Sequence, residues 1–178
     1  PLVIGKLKNS YVFTSETCAL DIIGAKFVRE VDNGEIVYIE NDELKSLKPF
    51  PNRKKRPCVF EYIYFSRPDS LLDGVTTYEY RKKLGSELSN EDNIKADLVV
   101  PVPDSGNAAA IGYSQSKNIK FDLGLIRNHY VGRTFIEPAQ KIRSLGVKLK
   151  LNANKSSIKN KVIILVDDSL VRGTTSHK

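Results

Sequence analysis

Apolar residues along this chain fall into short runs, and the company they keep changes near residue 50. Upstream, Tyr11–Thr14 and Glu35–Ile39 are rich in β-branched and aromatic side chains, as strands are. Asp32-Asn33-Gly34 is a turn signal between them, so the pattern predicts a strand pair. Downstream, strand-like and helix-like stretches take turns. Cys58–Phe65 reads as a strand, Thr76–Leu88 as a helix and Asp97–Val102 as a buried strand. Ser105–Ser116 then reads as a helix, Leu123–Arg127 as a strand and Lys161–Val166 as another buried strand. Apolar strands alternating with helices predict an α/β fold whose parallel sheet is covered on both faces. In such sheets ligands bind at the carboxyl ends of the strands. Two turns occupy such ends, Pro103–Gly106 and Asp167–Thr175.

The change near residue 50 is a connection. Lys48-Pro49-Phe50-Pro51-Asn52-Arg53-Lys54-Lys55-Arg56-Pro57 holds three prolines and five basic residues in ten. Proline fixes φ and removes a backbone donor, so this stretch reads as a surface linker between residues 1–50 and 51–178. The chain is 40% hydrophobic and 28% charged, which excludes a disordered polar segment. Its longest clean aliphatic run, Val162–Val166, falls far short of the roughly 20 residues that span a bilayer. No charged leader with an apolar core opens it, so a cytoplasmic, membrane-free protein is expected. Two cysteines, Cys18 and Cys58, make neither a disulfide framework nor a CxxC knuckle. The net charge of +7 suits nucleic acid or a phosphate-rich small ligand equally. Because the basic run lies in a linker, no nucleic acid is expected as partner. The chain contains no Met and stops at Ser176-His177-Lys178, just after its most informative segment. An internal stretch of a longer protein is the expectation.

That segment runs from Val162 to Ser176. Five aliphatics form a central strand that delivers Asp167 and Asp168 at its exposed end. Adjacent carboxylates there can accept hydrogen bonds from vicinal hydroxyls, or hold a divalent cation that bridges to phosphate. Ser169, Arg172, Gly173, Thr174, Thr175 and Ser176 follow, at what should be a helix N-terminus. Free N–H groups, the helix dipole and hydroxyls make a phosphate cradle, Gly173 allows close approach, and Arg172 adds charge. A diol reader beside a monophosphate cradle describes a ribose 5-phosphate site, the one that 5-phosphoribosyl 1-pyrophosphate (PRPP) needs. The turn Pro103-Asp104-Ser105-Gly106 repeats the scheme before a small-residue helix. Taken alone, it fits a pyrophosphate or metal loop and a plain capped helix equally. Between the two, Arg127 to Pro138 mixes polar, aromatic and glycine residues without period, a loop whose two arginines and His129 suit an anion. His129 itself reads as a packed surface residue.

Four strings carry a resemblance: Ser15-Glu16-Thr17-Cys18-Ala19-Leu20-Asp21, Phe60-Glu61-Tyr62-Ile63-Tyr64-Phe65-Ser66-Arg67-Pro68-Asp69-Ser70, Tyr130-Val131-Gly132-Arg133-Thr134-Phe135-Ile136, and Val166-Asp167-Asp168-Ser169 through Thr175. With them the chain resembles the glutamine PRPP amidotransferases over its whole length. The resemblance implies the tail of an α+β N-terminal-nucleophile glutaminase domain over residues 1–50. It implies a truncated type I phosphoribosyltransferase domain over 51–178. Ammonia from glutamine would displace pyrophosphate from PRPP and give 5-phosphoribosylamine, the first step of de novo purine synthesis.

Carried over by position, Asp167 and Asp168 would meet the ribose hydroxyls. Ser105, Asp167 and Asp168 would form the Mg²⁺ site, and Arg172 to Ser176 would hold the 5-phosphate. Tyr130, Arg133, Thr134 and Phe135 would belong to a flexible loop that closes over PRPP and helps channel ammonia. Cys58 matches the first of four ligands of a [4Fe–4S] cluster in one subgroup, and cluster-free relatives also keep a cysteine there, so both readings stay open. Cys18 is not the glutaminase nucleophile but a small buried residue, and that nucleophile is not in this chain, which alone would be inactive as a glutaminase. A homotetramer inhibited by purine nucleotides is implied, with Lys148 and Lys150 as candidate phosphate contacts. The rival readings are a salvage phosphoribosyltransferase acting on a free base and a non-catalytic PRPP-sensing regulator.

Overall fold

The computed structural model describes residues 1–51, 54–130 and 149–170. The chain divides into two compact units, Pro1–Tyr78 and Glu79–Lys178. This division lies downstream of the linker at 48–57.

In the first unit, β1 (Val3–Leu7) is central, paired antiparallel with β2 (Ser10–Thr14) on one side and β3 (Lys26–Glu30) on the other. Between β2 and β3, α1 (Thr17–Ile23) lays Leu20 onto Val3 and Ala25, with Leu7 and Val12 packed around them. The helix rides close to β1 at Gly5, where a Cβ would come within 2.5 Å of the Leu20 side chain. Gly24 ends the helix in the left-handed conformation that a Cβ disfavours. Next, β4 (Ile36–Glu40) pairs with β5 (Glu43–Leu47) across Asn41-Asp42, both at positive φ, a two-residue hairpin turn.

This corrects the expected pairing of Tyr11–Thr14 with Glu35–Ile39. The first belongs to β2 and pairs with β1, the second to β4 and pairs with β5. Short hairpin loops close at lower entropic cost than the longer connection that the expected pair required. The Asp32-Asn33-Gly34 turn is real but joins two sheets. Arg29 clasps it, donating to both oxygens of the buried Glu35 carboxylate at 2.8 and 2.6 Å. The Arg29 hydrogen bond is the main cause holding the Glu35 carboxyl down to about 2, with Ser46 and the Asp32 N–H assisting.

A second correction concerns Cys58–Phe65, which is helical. Glu61 N–H donates to the Cys58 carbonyl, and Glu61–Phe65 is a π-helix closed by Ser66 N–H on the Glu61 carbonyl. Its aromatics suggested a strand, but no strand among the described residues pairs with it. Pro57 instead pre-sets the φ of a first helical turn, and a Phe60–Tyr64 ring contact at 5.8 Å links one turn to the next. The unit then makes a short hairpin, β6 (Leu71–Leu72) and β7 (Val75–Thr76), around Asp73-Gly74.

The helix α2 (Thr77–Asn90) leads into the second unit. Its elements are β8 (Leu98–Pro101), α3 (Asn107–Lys117), β9 (Leu125–Arg127), β10 (Leu151–Ala153), α4 (Lys155–Ile158) and β11 (Ile163–Val166). Wholly buried β8 pairs in parallel with β11, as the apolar runs predict. On its other edge, Val99 bridges Phe121. Val99, Ala110, Tyr113 and Val166 form the core, so α3 covers the β8–β11 pair. The β9–β10 pair is antiparallel. No helix among the described residues is long and apolar enough to cross a membrane.

Backbones of α2 and α3 touch where they cross. A Cβ on Gly85 would lie 1.8 Å from the Ala109 carbonyl oxygen, and one on Gly112 1.8 Å from that of Lys82. Gly85→Ala and Gly112→Ala are each expected to cost about 2 kcal/mol by overpacking, despite alanine's higher helix propensity. Chemical denaturation reads this as a lowered midpoint at unchanged slope. Wild-type midpoints would mean the two helices do not cross at these glycines.

Candidate functional site

The β8–β11 register ends both strands at one level, Pro101 opposite Val166. The ladder continues one step further, with Val102 N–H donating to the Val166 carbonyl at 2.8 Å. Beyond β8 the chain turns sharply. Gly106 N–H donates to Val102 at 3.0 Å, Asn107 N–H to the Asp104 carbonyl at 3.2 Å, and Ala110 N–H to Gly106 as α3 begins. A Cβ on Gly106 would sit 2.4 Å from the Val166 carbonyl oxygen and 2.9 Å from that of Val102. Both neighbours are backbone, so only glycine fits. Ser105 and Asp167 thus stand one residue to either side of a single backbone contact, which brings the two turns together.

Both acids of the second turn are half-buried. Asp167 accepts from Asp168 N–H at 2.9 Å, and Asp168 accepts from the Ser169 hydroxyl at 3.1 Å. Burial lifts the Asp167 carboxyl to about 6, and the like charge of Asp168 adds to the rise. The Asp168 N–H and the charge of Lys150 oppose it without cancelling it. Two carboxylates and a serine hydroxyl are hard oxygen donors, and a carboxyl whose charged form is disfavoured by burial suits a site completed by a divalent cation. Among the described residues no three or more His, Cys, Asp and Glu side chains form a ready-made metal cage.

Arg127, at the end of β9, forms an ion pair with Asp104 on the first turn. The sequence put both residues near strand ends, but 23 positions apart. What joins them is the Val99–Phe121 bridge, which runs the stretch before β9 alongside β8. Arg127 also borders an open depression of about 590 Å³ shared with Ile126, Asn128 and Asn152 to Lys155.

Tyr130 is fully exposed, its N–H on Asn128 Oδ1 at 3.0 Å, and His129 lies on the surface as expected. Arg133, Thr134, Phe135, Lys148 and Arg172, Gly173, Thr174, Thr175 and Ser176 lie outside the described residues. Cys58 is an exposed free thiol and Cys18 a buried one, so the described residues hold no four-cysteine set.

Two of the four strings meet in the first unit. Glu16 Oε2 accepts from the Ser70 hydroxyl at 2.6 Å and from Arg67 N–H at 2.9 Å. Leu71 N–H donates to the Thr17 hydroxyl at 2.8 Å, and the Ser70 hydroxyl also lies 3.1 Å from Cys18 Sγ. Thr17, Cys18 and Ser70 are buried, so the strings tie α1 to the segment before β6. Cys18 is structural, as its residue type suggested.

No family model matches the chain. Individual proteins match it throughout. The amidophosphoribosyltransferase of Rhizobium etli is 54% identical over 183 residues, covering all of this chain and 37% of that protein. The enzyme of the same name from Bacillus subtilis is 48% identical, again over the whole chain and 37% of the relative. That of Archaeoglobus fulgidus is 45% identical. A solved glutamine PRPP amidotransferase from B. subtilis, complexed with ADP and GMP, matches with a TM-score of 0.88 at 49% identity, over 99% of this chain and 39% of that one. The chain belongs to the amidophosphoribosyltransferase family. It spans about 37% of the length of these curated amidophosphoribosyltransferases, and its mixed α/β fold is that of part of the solved enzyme.

In this chain Asp167 has a testable cost. A carboxyl raised to about 6 from an ordinary 3.8 binds more protons folded than unfolded between those values, so stability falls as pH rises through the window. Asp167→Asn removes the burden. The variant is expected to melt above wild type at pH 7 and level with it near pH 4, as followed by thermal unfolding. A gap that does not change between the two pH values would rule this out.

Proposed function

We propose that this chain carries the PRPP-binding part of an enzyme that makes 5-phosphoribosylamine, pyrophosphate and glutamate from PRPP, glutamine and water. The observation that carries the reading is whole-chain identity of 45–54% to amidophosphoribosyltransferases, joined to the meeting of the serine turn and the acid turn. Residues 51–178 would belong to the phosphoribosyltransferase domain and residues 1–50 to the end of a glutaminase domain.

Asp167 and Asp168 accept hydrogen bonds from the ribose hydroxyls and fix the sugar at the strand ends. Arg172, Gly173, Thr174, Thr175 and Ser176 hold the 5-phosphate through backbone N–H groups, hydroxyls and one guanidinium. Ser105, Asp167 and Asp168 would hold Mg²⁺, which would supply charge neutralisation for the departing pyrophosphate. Displacement at C1 passes through an oxocarbenium-like state, and the acid pair lies on its sugar side. Ammonia is already a good nucleophile, so the remaining task is to keep water out. Tyr130, Arg133, Thr134 and Phe135 do this as a closing loop.

Purine nucleotides would act as feedback inhibitors, supported by the ADP and GMP of the B. subtilis relative, with Lys148 and Lys150 as phosphate contacts. A homotetramer in the cytoplasm and ammonia passed between domains complete the reading, and Cys58 would be either one ligand of a [4Fe–4S] cluster or, as in cluster-free relatives, a thiol that holds no metal.

The test is PRPP-dependent glutamine hydrolysis by the intact enzyme with Mg²⁺, following glutamate and pyrophosphate together. Wild type should release both in step, and Asp167→Asn/Asp168→Asn should lose at least about 100-fold in kcat/KM for PRPP. PRPP binding without glutamate release would overturn the amidotransferase reading in favour of a salvage enzyme or a regulator.

A further inference from the structure

We infer that Arg127 is a positioning residue that neutralises and holds the Asp104 carboxylate, so that the Pro103–Gly106 turn can accept the polyanionic end of PRPP. The inference rests on the PRPP-binding reading and adds to it a residue that works through another. Asp104 occupies the turn between β8 and α3, whose Gly106 abuts the end of β11 just before the acid pair. Its side chain is 50% exposed. A third bare carboxylate at this corner would repel a pyrophosphate group, and among the described residues Arg127 is the ion-pair partner of Asp104.

Arg127 is built for that task. It ends β9, which is tied to β10, and Asn128 N–H continues the tie on the Lys150 carbonyl at 2.7 Å. Its Nη1 donates to Asp104 Oδ2. Its Nε is sealed from solvent with no hydrogen-bond partner among the described residues, as is Oδ1 of Asn107, whose backbone N–H donates to the Asp104 carbonyl. Buried polar atoms are rarely left unmatched, because doing so costs free energy. The guanidinium is therefore not placed to satisfy all its own donors. Its pose follows the ion pair with Asp104.

Direct contact between Arg127 and the ligand makes the opposite prediction in a double variant, and this decides the matter. In the intact enzyme, Arg127→Met should raise KM for PRPP about tenfold with kcat within about twofold of wild type. Arg127→Met/Asp104→Asn should recover most of that loss, because the repelling charge goes with its neutraliser. Arg127→Lys should stay near wild type, and the Arg127→Met defect should shrink at high salt. A double variant as impaired as Arg127→Met would overturn the inference, as would an unchanged KM in Arg127→Met. Thermal melting checks folding, and Arg127→Gln replaces Arg127→Met in the comparison should the latter not fold. Wild type that releases no pyrophosphate from PRPP sinks the functional reading and this inference together. Wild type that does, beside an Arg127→Met enzyme of unchanged KM, sinks the inference alone.

Discussion

The contact on which the site depends is that between the Val166 carbonyl and the turn that leaves β8. It accepts from Val102 N–H and lies where a Cβ on Gly106 would have to go. Backbone is pressed on backbone there, so the two strand ends cannot slide or part without losing a buried hydrogen bond in a dry corner of the core. Parallel pairing alone would bring the two turns to one edge of the sheet. The glycine brings them into register, so that Ser105 and Asp167 become neighbours. On the proposed reading a serine hydroxyl and an acid pair from segments about 60 residues apart would then act as one donor set.

The same packing explains the state of Asp167. A corner tight enough to exclude Cβ atoms is also poor in water, and a carboxylate there lacks the hydration it would have in solution. Lys150 offsets only part of this. The fold thus holds a carboxyl under conditions that favour its neutral form, at the position where the family resemblance puts cation and sugar binding. A site whose cost a bound ligand relieves is a common trade between stability and function. It is consistent with the otherwise ordinary packing of β8, α3 and β11, which supplies the stability that the corner gives up.

Much of this second unit was legible because each of its elements announces itself locally. Wholly apolar runs at 98–101 and 163–166 flank a helix of small residues, and acids and hydroxyls follow each run. The first unit was harder to read. In β1 the glycine that admits Leu20 breaks the strand pattern, and the Asn41-Asp42 hairpin turn lacks the glycine that advertises such turns. The aromatic run at 60–65 has strand composition but no strand beside it, and only a partner decides between the two. Arg127 shows a different limit. Its charge and its place at a strand end were visible, whereas its pairing with Asp104 depends on which edge of β8 the chain returns to after α3. Period and propensity carry no information about that choice.

Asp104 and Asp167 stand at the same level of the same sheet, each on the turn after a buried strand, yet the fold treats them differently. The first is half exposed and matched by a guanidinium fixed on a strand. The second is withdrawn from water and keeps a carboxyl raised to about 6. Were both acids to serve a cation, pairing one with arginine would waste a ligand and place like charges side by side. Were neither to do so, burial of Asp167 would be a cost without return. The asymmetry is what a site needs if metal and sugar gather at Asp167 and Asp168 while the neighbouring turn must admit phosphate. On that reading one acid would be left able to change its charge state on binding, and the other would be silenced so that it does not oppose the ligand.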